Sequence, residues 1–278
     1  MDGIAFIKMH GLGNDFVIID ARSEPLEISA EAARRIANRR TGVGCDQLIV
    51  LGKPRNRDAQ AFMAIRNADG GASAACGNAT RCVAALLMNE SGNDEAVIET
   101  EAGILLGSGG DGGVTVDMGE PGLKWNQVPL ADKADTLALD LDAGALGPAV
   151  ACSMGNPHAT FFVDNIEAVD IRAIGPRLEL HALFPERANI GFAQVLDRDH
   201  IRLRVWERGA GLTPACATGS CAAVVGGIRR KLLDRRVRCT LDGGELTIEW
   251  RKEDNHVLMT GPVSAAFTGL LNPSLVTP

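Results

Sequence analysis

The 278-residue chain is 46% apolar and 23% charged, the composition of a globular protein long enough for two ordinary domains. A net charge of −7, with no basic cluster interleaved with aromatics, argues against nucleic acid, and no apolar run is long enough to cross a bilayer. The N-terminus has no basic segment followed by an apolar one, and an odd count of seven cysteines argues for reduced thiols, so a cytoplasmic location is expected.

Taken in chain order, Gly13-Asn14-Asp15 leads into an apolar strand from Phe16 to Ile19. Ser29 is placed to cap a helix running through Ile36. Gly44-Cys45-Asp46-Gln47-Leu48 and Ala61 to Arg66, followed by Asn67, read as strand entries and strands. Cys76 then opens a helix whose stripe is Cys82, Val83, Leu86 and Leu87, ended by Ser91-Gly92-Asn93. Strands joined by glycine-rich turns fill 97–116. The second half repeats this order: a strand over Ala159 to Val163, a strand over Ile201 to Trp206, and a helix opened by Cys216. The stripe of that helix is Cys221, Val224, Val225, Ile228 and Leu232, and strands follow over 237–258.

Six short matches recur in the same order at offsets of 140 to 147 residues. Among them are Gly13-Asn14 with Gly155-Asn156, Gly44-Cys45-Asp46-Gln47 with Gly191-Phe192-Ala193-Gln194, and Cys76 with Cys216. Glycine and asparagine recur in loops for local reasons, which accounts for single matches but not for a collinear set. The pattern predicts duplication of one α/β unit of roughly 130 residues, a period too long for a solenoid.

A cysteine at a helix start feels the positive end of the helix dipole and unpaired backbone N–H groups, which predicts a thiol pKa below the free value of ~8.5. The same amides, at Gly77 and Asn78 and at Ala217 and Thr218, make an anion site suited to a substrate carboxylate. Two such thiols suit removal of a proton from one face of a carbon and its return on the other. Cys82 and Cys221 lie on apolar stripes and are expected only to pack; Cys45, Cys152 and Cys239 are expected to be inert. Neither the Cys76/Cys82 nor the Cys216/Cys221 spacing suits a zinc site, and no phosphate loop or dinucleotide motif is present. No metal and no cofactor are expected.

These residues resemble the diaminopimelate epimerase family. The resemblance rests on Lys8-Met9-His10-Gly11-Leu12-Gly13-Asn14-Asp15-Phe16, Gly42-Val43-Gly44-Cys45-Asp46-Gln47, Asn67-Ala68-Asp69-Gly70, Gly155-Asn156-Pro157-His158, Glu207-Arg208-Gly209-Ala210-Gly211 and the two cysteine motifs. It implies two pseudo-symmetric α/β (α+β) domains, each a strand-rich, barrel-like layer around a central helix, with the active site in the cleft between them. The expected division is 1–120 and 121–263, with a last strand in 264–278 returning to the first domain. It also implies cofactor-independent interconversion of LL- and meso-diaminopimelate, on the route to lysine and peptidoglycan.

Carried over residue by residue, Cys76 and Cys216 are the two acid–base groups. Asn14, Gln47, Asn67, Asn156, Asn189, Glu207 and Arg208 line the substrate site, with the backbone around Gly77, Asn78, Ala217 and Thr218 holding the reacting carboxylate. Arg208 suits a distal carboxylate, and His158 is an auxiliary residue that helps set thiol protonation. Taken singly, the asparagines read rather as turn residues and Gln47 as an exposed strand residue, and Glu207-Arg208 could be a solvated pair. The chain departs from the family pattern at Ala79-Thr80, Leu212 and Ala217. The expected partner is a small-molecule substrate, with no nucleic acid, no membrane, and homodimerisation left open. The nearest alternative is a racemase of the proline or hydroxyproline type, whose usual His after the first Cys-Gly is Asn78 here. A vicinal-thiol redox or binding protein and a PhzF-like isomerase are more distant readings; the latter lacks the paired cysteines.

Overall fold

The computed structural model of the chain describes residues 3–276, which divide into two compact units. Unit 1 comprises the residues up to Val116 and those from Gly261 onward; unit 2 is Asp117–Thr260.

Unit 1 begins with β1 (Ile4–Gly11) and β2 (Asn14–Asp20), an antiparallel hairpin, and continues through α1 (Ala30–Ala37) to β3 (Gln47–Gly52), which runs parallel to β2. Ser29 caps α1, its Oγ accepting from the Ala32 N–H at 3.1 Å. The helix buries Ala32, Ala33, Ile36 and Ala37 against Val17, Ile19 and Leu48, leaving its arginines outside. β4 (Ala61–Asn67) pairs antiparallel with β3 and with the short β5 (Ala72–Ser73). Then come α2 (Gly77–Ser91), β6 (Glu95–Thr100), β7 (Gly103–Gly110) and β8 (Gly113–Asp117). α2 is buried on every face from Gly77 to Ala84 and packs on β1, β6 and β7. It stops at Gly92, whose φ of 72° is the left-handed cap glycine tolerates without strain. The C-terminal strand, Ser264–Leu271, pairs antiparallel with β1.

Unit 2 holds β9 (Val150–Ser153), β10 (Pro157–Phe162), α3 (Ile171–Glu179), β11 (Asn189–Asp197), β12 (His200–Glu207), β13 (Gly211–Thr213), α4 (Ala217–Arg229), β14 (Arg236–Leu241), β15 (Gly244–Trp250) and β16 (Val257–Gly261). The pairings repeat those of unit 1. β10 is antiparallel to β9 and parallel to β11, as β2 is to β1 and β3. β12 is antiparallel to β11 and β13 and parallel to β14, as β4 is to β3, β5 and β6. The fold is a duplicated mixed α/β unit, as the collinear motifs predict.

Two details differ from the sequence reading. The match of Gly44-Cys45-Asp46-Gln47 to Gly191-Phe192-Ala193-Gln194 is out of register. Phe16 pairs with Gln47 in unit 1 and His158 pairs with Asn189 in unit 2, so the counterpart of Gln47 is Asn189. The false match arose because both segments are apolar strands with a glycine and a glutamine at similar spacing. The second cysteine-led helix also ends earlier than its stripe suggested. The chain turns left-handed at Lys231 (φ 62°), the Leu232 N–H bonds back to Gly227, and Leu232 is 37% exposed. No helix of the described residues is long and apolar enough to cross a membrane.

Candidate active site

Cys76 and Cys216 occupy the same place in their units: each is the N-cap of its unit's buried helix, with extended backbone and no side-chain cap on the first turn. A hydroxyl one turn on, Thr80 in one and Ser220 in the other, donates to the cysteine carbonyl at 2.9 Å and fixes the elbow. The loops that carry Asn14 and Asn156 also correspond, since Gly13 and Gly155 have φ of 82° and 84°. That region is open to glycine at no cost, and it turns the next residue's side chain back toward the helix start.

In unit 1, Asn14 Oδ1 accepts from Asn78 Nδ2 at 3.2 Å and from the Cys76 thiol at 4.0 Å. Its Nδ2 donates to Asp46 Oδ2 at 2.9 Å. Gln47 and Asn67 form a cross-strand pair, Nε2 donating to Oδ1 at 2.9 Å. Among the described residues, the buried acceptors Gln47 Oε1 and Asn78 Oδ1 have no hydrogen-bond partner, and Asn78 is only 3% exposed. A buried acceptor without a donor is costly, which marks these oxygens as places for a donor such as an ammonium group.

In unit 2, Asn156 Oδ1 meets His158 Nε2 at 2.9 Å, and its Nδ2 donates to Thr218 Oγ1 at 3.4 Å. Thr218 Oγ1 lies 3.8 Å from Cys216 Sγ. Glu207 accepts from the Cys216 thiol and from Thr213 Oγ1, and the Gly219 N–H donates to the sulfur. Asn189 ties the rest together: Nδ2 donates to the Pro157 carbonyl at 3.2 Å and Oδ1 accepts from the Arg208 N–H at 2.9 Å. Arg208 Nη1 donates to the Glu186 carbonyl at 2.9 Å. The buried Glu179 holds the turn beyond it, accepting from the Gly209 N–H at 3.0 Å and from Trp206 Nε1 at 2.8 Å.

The electrostatics correct one expectation. Burial pushes the Cys216 thiol well above its ordinary pKa, and the Glu207 charge adds to this, outweighing the N–H of Gly219 and the hydroxyl of Thr218. The helix-start donors are present but do not win, because Cys216 is only 4% exposed and faces a carboxylate. His158 is pushed down to about 3 by burial and by the Arg208 charge, so at neutral pH it is an uncharged imidazole. Cys82 is pushed up to about 12, Cys152 to about 12 and Cys45 to about 11, in each case chiefly by burial, which fits thiols that only pack.

The departures from the family pattern are absorbed locally. Ala79 is fully buried, Leu212 packs on the core of unit 2, and Ala217 begins α4 without a positive φ. Sequence reading missed Asp46, which touches Asn14, and Thr213, which touches Glu207, as well as Asp15 and Arg39, which hold Asp46. It also missed Asp117, Asp254 and His256, whose ligand-type atoms lie within 4.8 Å of one another. Arg251 donates to Asp117 at 3.0 Å and to Asp254 at 2.5 Å, so these carboxylates already share a cation.

A sequence profile described as diaminopimelate epimerase matches residues 6–124 and 150–266. The chain belongs to this family. A diaminopimelate epimerase of Rhodospirillum centenum is 57% identical over 98% of this chain and 93% of its own length. One of Acidiphilium cryptum is 56% identical over 98% of each chain. Family membership makes this protein an epimerase. Among solved structures, a PhzF-family phenazine biosynthesis protein of Bacillus anthracis superposes with a TM-score of 0.68 at 17% identity, over 98% of this chain and 100% of its own. A probable proline racemase of Agrobacterium radiobacter gives 0.67 at 19%, over 97% and 94%. These two similarities establish the shared fold.

Proposed function

We propose that the protein interconverts LL- and meso-diaminopimelate by two-thiol acid–base chemistry. The observation that carries this is the placing of Cys76 and Cys216 as N-caps of equivalent helices in a chain of the diaminopimelate epimerase family. One cysteine, as thiolate, takes the α-proton: the C–H bond breaks and an S–H bond forms. The other, as thiol, gives its proton to the opposite face, so its S–H bond breaks and a new C–H bond forms. The product is inverted and the two sulfurs have exchanged protonation states, ready for the reverse turnover.

The first-turn amides after each cysteine suit the α-carboxylate, where they oppose the charge that grows as the proton leaves. The acceptors Gln47 Oε1 and Asn78 Oδ1 suit ammonium groups, and Arg208 suits the distal carboxylate. Asn67, Asn156 and Asn189 complete the polar lining. The reaction serves lysine and peptidoglycan synthesis in the cytoplasm. The protein works as a homodimer, a reading supported by the exposed apolar side chains Phe267 (51%) and Leu270 (69%) on the C-terminal strand.

The test is incubation of purified, pyridoxal-free protein with LL-diaminopimelate in deuterated water under reducing conditions. The meso isomer should form with deuterium at the inverted carbon. Cys76→Ser and Cys216→Ser should each lower epimerisation by at least ~100-fold. Activity on proline with none on diaminopimelate would overturn the substrate, and full activity in either variant would overturn the mechanism.

A further inference from the structure

The direction of the Asn14 amide is dictated by its neighbour. A carboxylate accepts hydrogen bonds and cannot donate them, so the Asn14 atom 2.9 Å from Asp46 Oδ2 has to be Nδ2. That leaves Oδ1 facing Asn78 Nδ2 and the Cys76 sulfur. Asp46 is itself fixed: Oδ2 also accepts from the Asp15 N–H at 3.1 Å, and Oδ1 accepts from Arg39 Nη2 at 2.7 Å. Asp15 completes the frame by accepting from the Asp46 N–H at 2.9 Å, from both Arg39 Nη atoms, and from the buried Lys8 ammonium at 2.6 Å.

Unit 2 lacks this arrangement. The β2/β3 and β10/β11 registers place Ala188 where unit 1 has Asp46, and His158 where unit 1 has Phe16. Asn156 is therefore held by an imidazole, which can offer either a donor or an acceptor. Cys216 takes its hydrogen bonds from Gly219 and Thr218 and gives one to Glu207, and the Asn156 amide reaches it through the Thr218 hydroxyl rather than by direct contact.

We propose that Asp46 is a positioning residue for the reaction. By accepting from Asn14 Nδ2 it holds the Asn14 carbonyl oxygen toward Cys76 and Asn78, so that the free enzyme presents Cys76 to an acceptor and favours its protonated thiol. The role in catalysis rests on the two-thiol reading above, but the test does not, because it measures thiol reactivity rather than turnover.

The experiment is iodoacetamide alkylation of the substrate-free enzyme across pH, with the Cys76 and Cys216 peptides quantified separately by mass spectrometry. Asp46→Ala installs the residue unit 2 carries at this position and frees the Asn14 amide to turn its NH2 toward sulfur. The Cys76 profile should move down by about half a pH unit or more, while that of Cys216 stays in place. In an Asn14→Ala background the same change should have little further effect, since the coupling runs through the amide. An unmoved Cys76 profile overturns the proposal. So does an equal shift without Asn14, which would mean that loss of the Asp46 charge acts directly. A neutron structure of the unmodified enzyme decides the matter should Asp46→Ala not fold: deuterons on the Asn14 atom facing Asp46 are expected, and deuterons on the atom facing Cys76 would refute it. Loss of two-thiol catalysis as a mechanism would leave all of these outcomes readable.

Discussion

Glu207 and Thr218 pull on the Cys216 sulfur in opposite directions: a carboxylate disfavours the thiolate and a hydroxyl donor favours it. Burial sides with the carboxylate, so Cys216 is a protonated thiol at neutral pH in the free protein. Replacing Glu207 by Gln removes the charge and keeps the shape, and the Cys216 alkylation profile is expected to move to lower pH, with the Cys76 profile unmoved. A profile that stays in place would show that burial alone sets this thiol. At this scale the sequence was informative about identity and poor on protonation. The two cysteines stand out by position, but whether a helix start yields a thiolate depends on Glu207, a residue nine positions upstream whose side chain only the β12/β13 pairing brings to the sulfur. Asp46 is hidden for the same reason, being 32 residues from the amide it fixes.

Helix and strand placement was more legible, because it depends on neighbours in the chain. Ser29, the Cys76 elbow and Gly92 each announce a helix end by a local hydrogen bond or a special φ. The end of α4 was misjudged because Leu232 continues the apolar spacing, whereas the break is made by Lys231 leaving the helical region. The residue-by-residue correspondence of β3 with β11 was likewise beyond a motif match, since segments with similar apolar content align equally well at several offsets. The cap on α1 gives a clean test of the local reading. Ser29→Ala removes the acceptor for the Ala32 N–H and should cost about 1 kcal/mol, seen as a lower urea midpoint with unchanged slope. Epimerase activity should be retained, since Ser29 lies outside the site.

Over the whole molecule, both units respond to acid through groups held in one protonation state. In unit 1, burial alone would raise the Asp15 carboxyl, but hydrogen bonds from Arg39 and Lys8 hold it well below the usual carboxylate range. Its contribution is complete above the unfolded carboxylate pKa and is lost as pH falls further. In unit 2, His158 stays neutral down to about 3 although an unfolded histidine titrates near 6.5, so the unfolded chain binds the proton first. Stability from this residue is intact above 6.5 and drains away between 6.5 and about 3. Urea midpoints measured from neutral pH down to about pH 4 should fall, and His158→Gln should flatten that fall in unit 2. An unchanged slope in the variant would assign acid sensitivity elsewhere.

The pairing of the C-terminal strand with β1 also has a consequence for biosynthesis. Unit 2 is one uninterrupted stretch, Asp117–Thr260, whereas unit 1 is assembled from both ends of the described chain. A ribosome delivers all of unit 2 before it delivers the second partner of β1, the C-terminal strand. At about 5–20 residues per second, the outer edge of β1 waits on the order of 13–50 s after its own synthesis with its hydrogen-bonding groups unmatched. The half made first is thus the half completed last, and nascent-chain quality control would meet it as an open sheet.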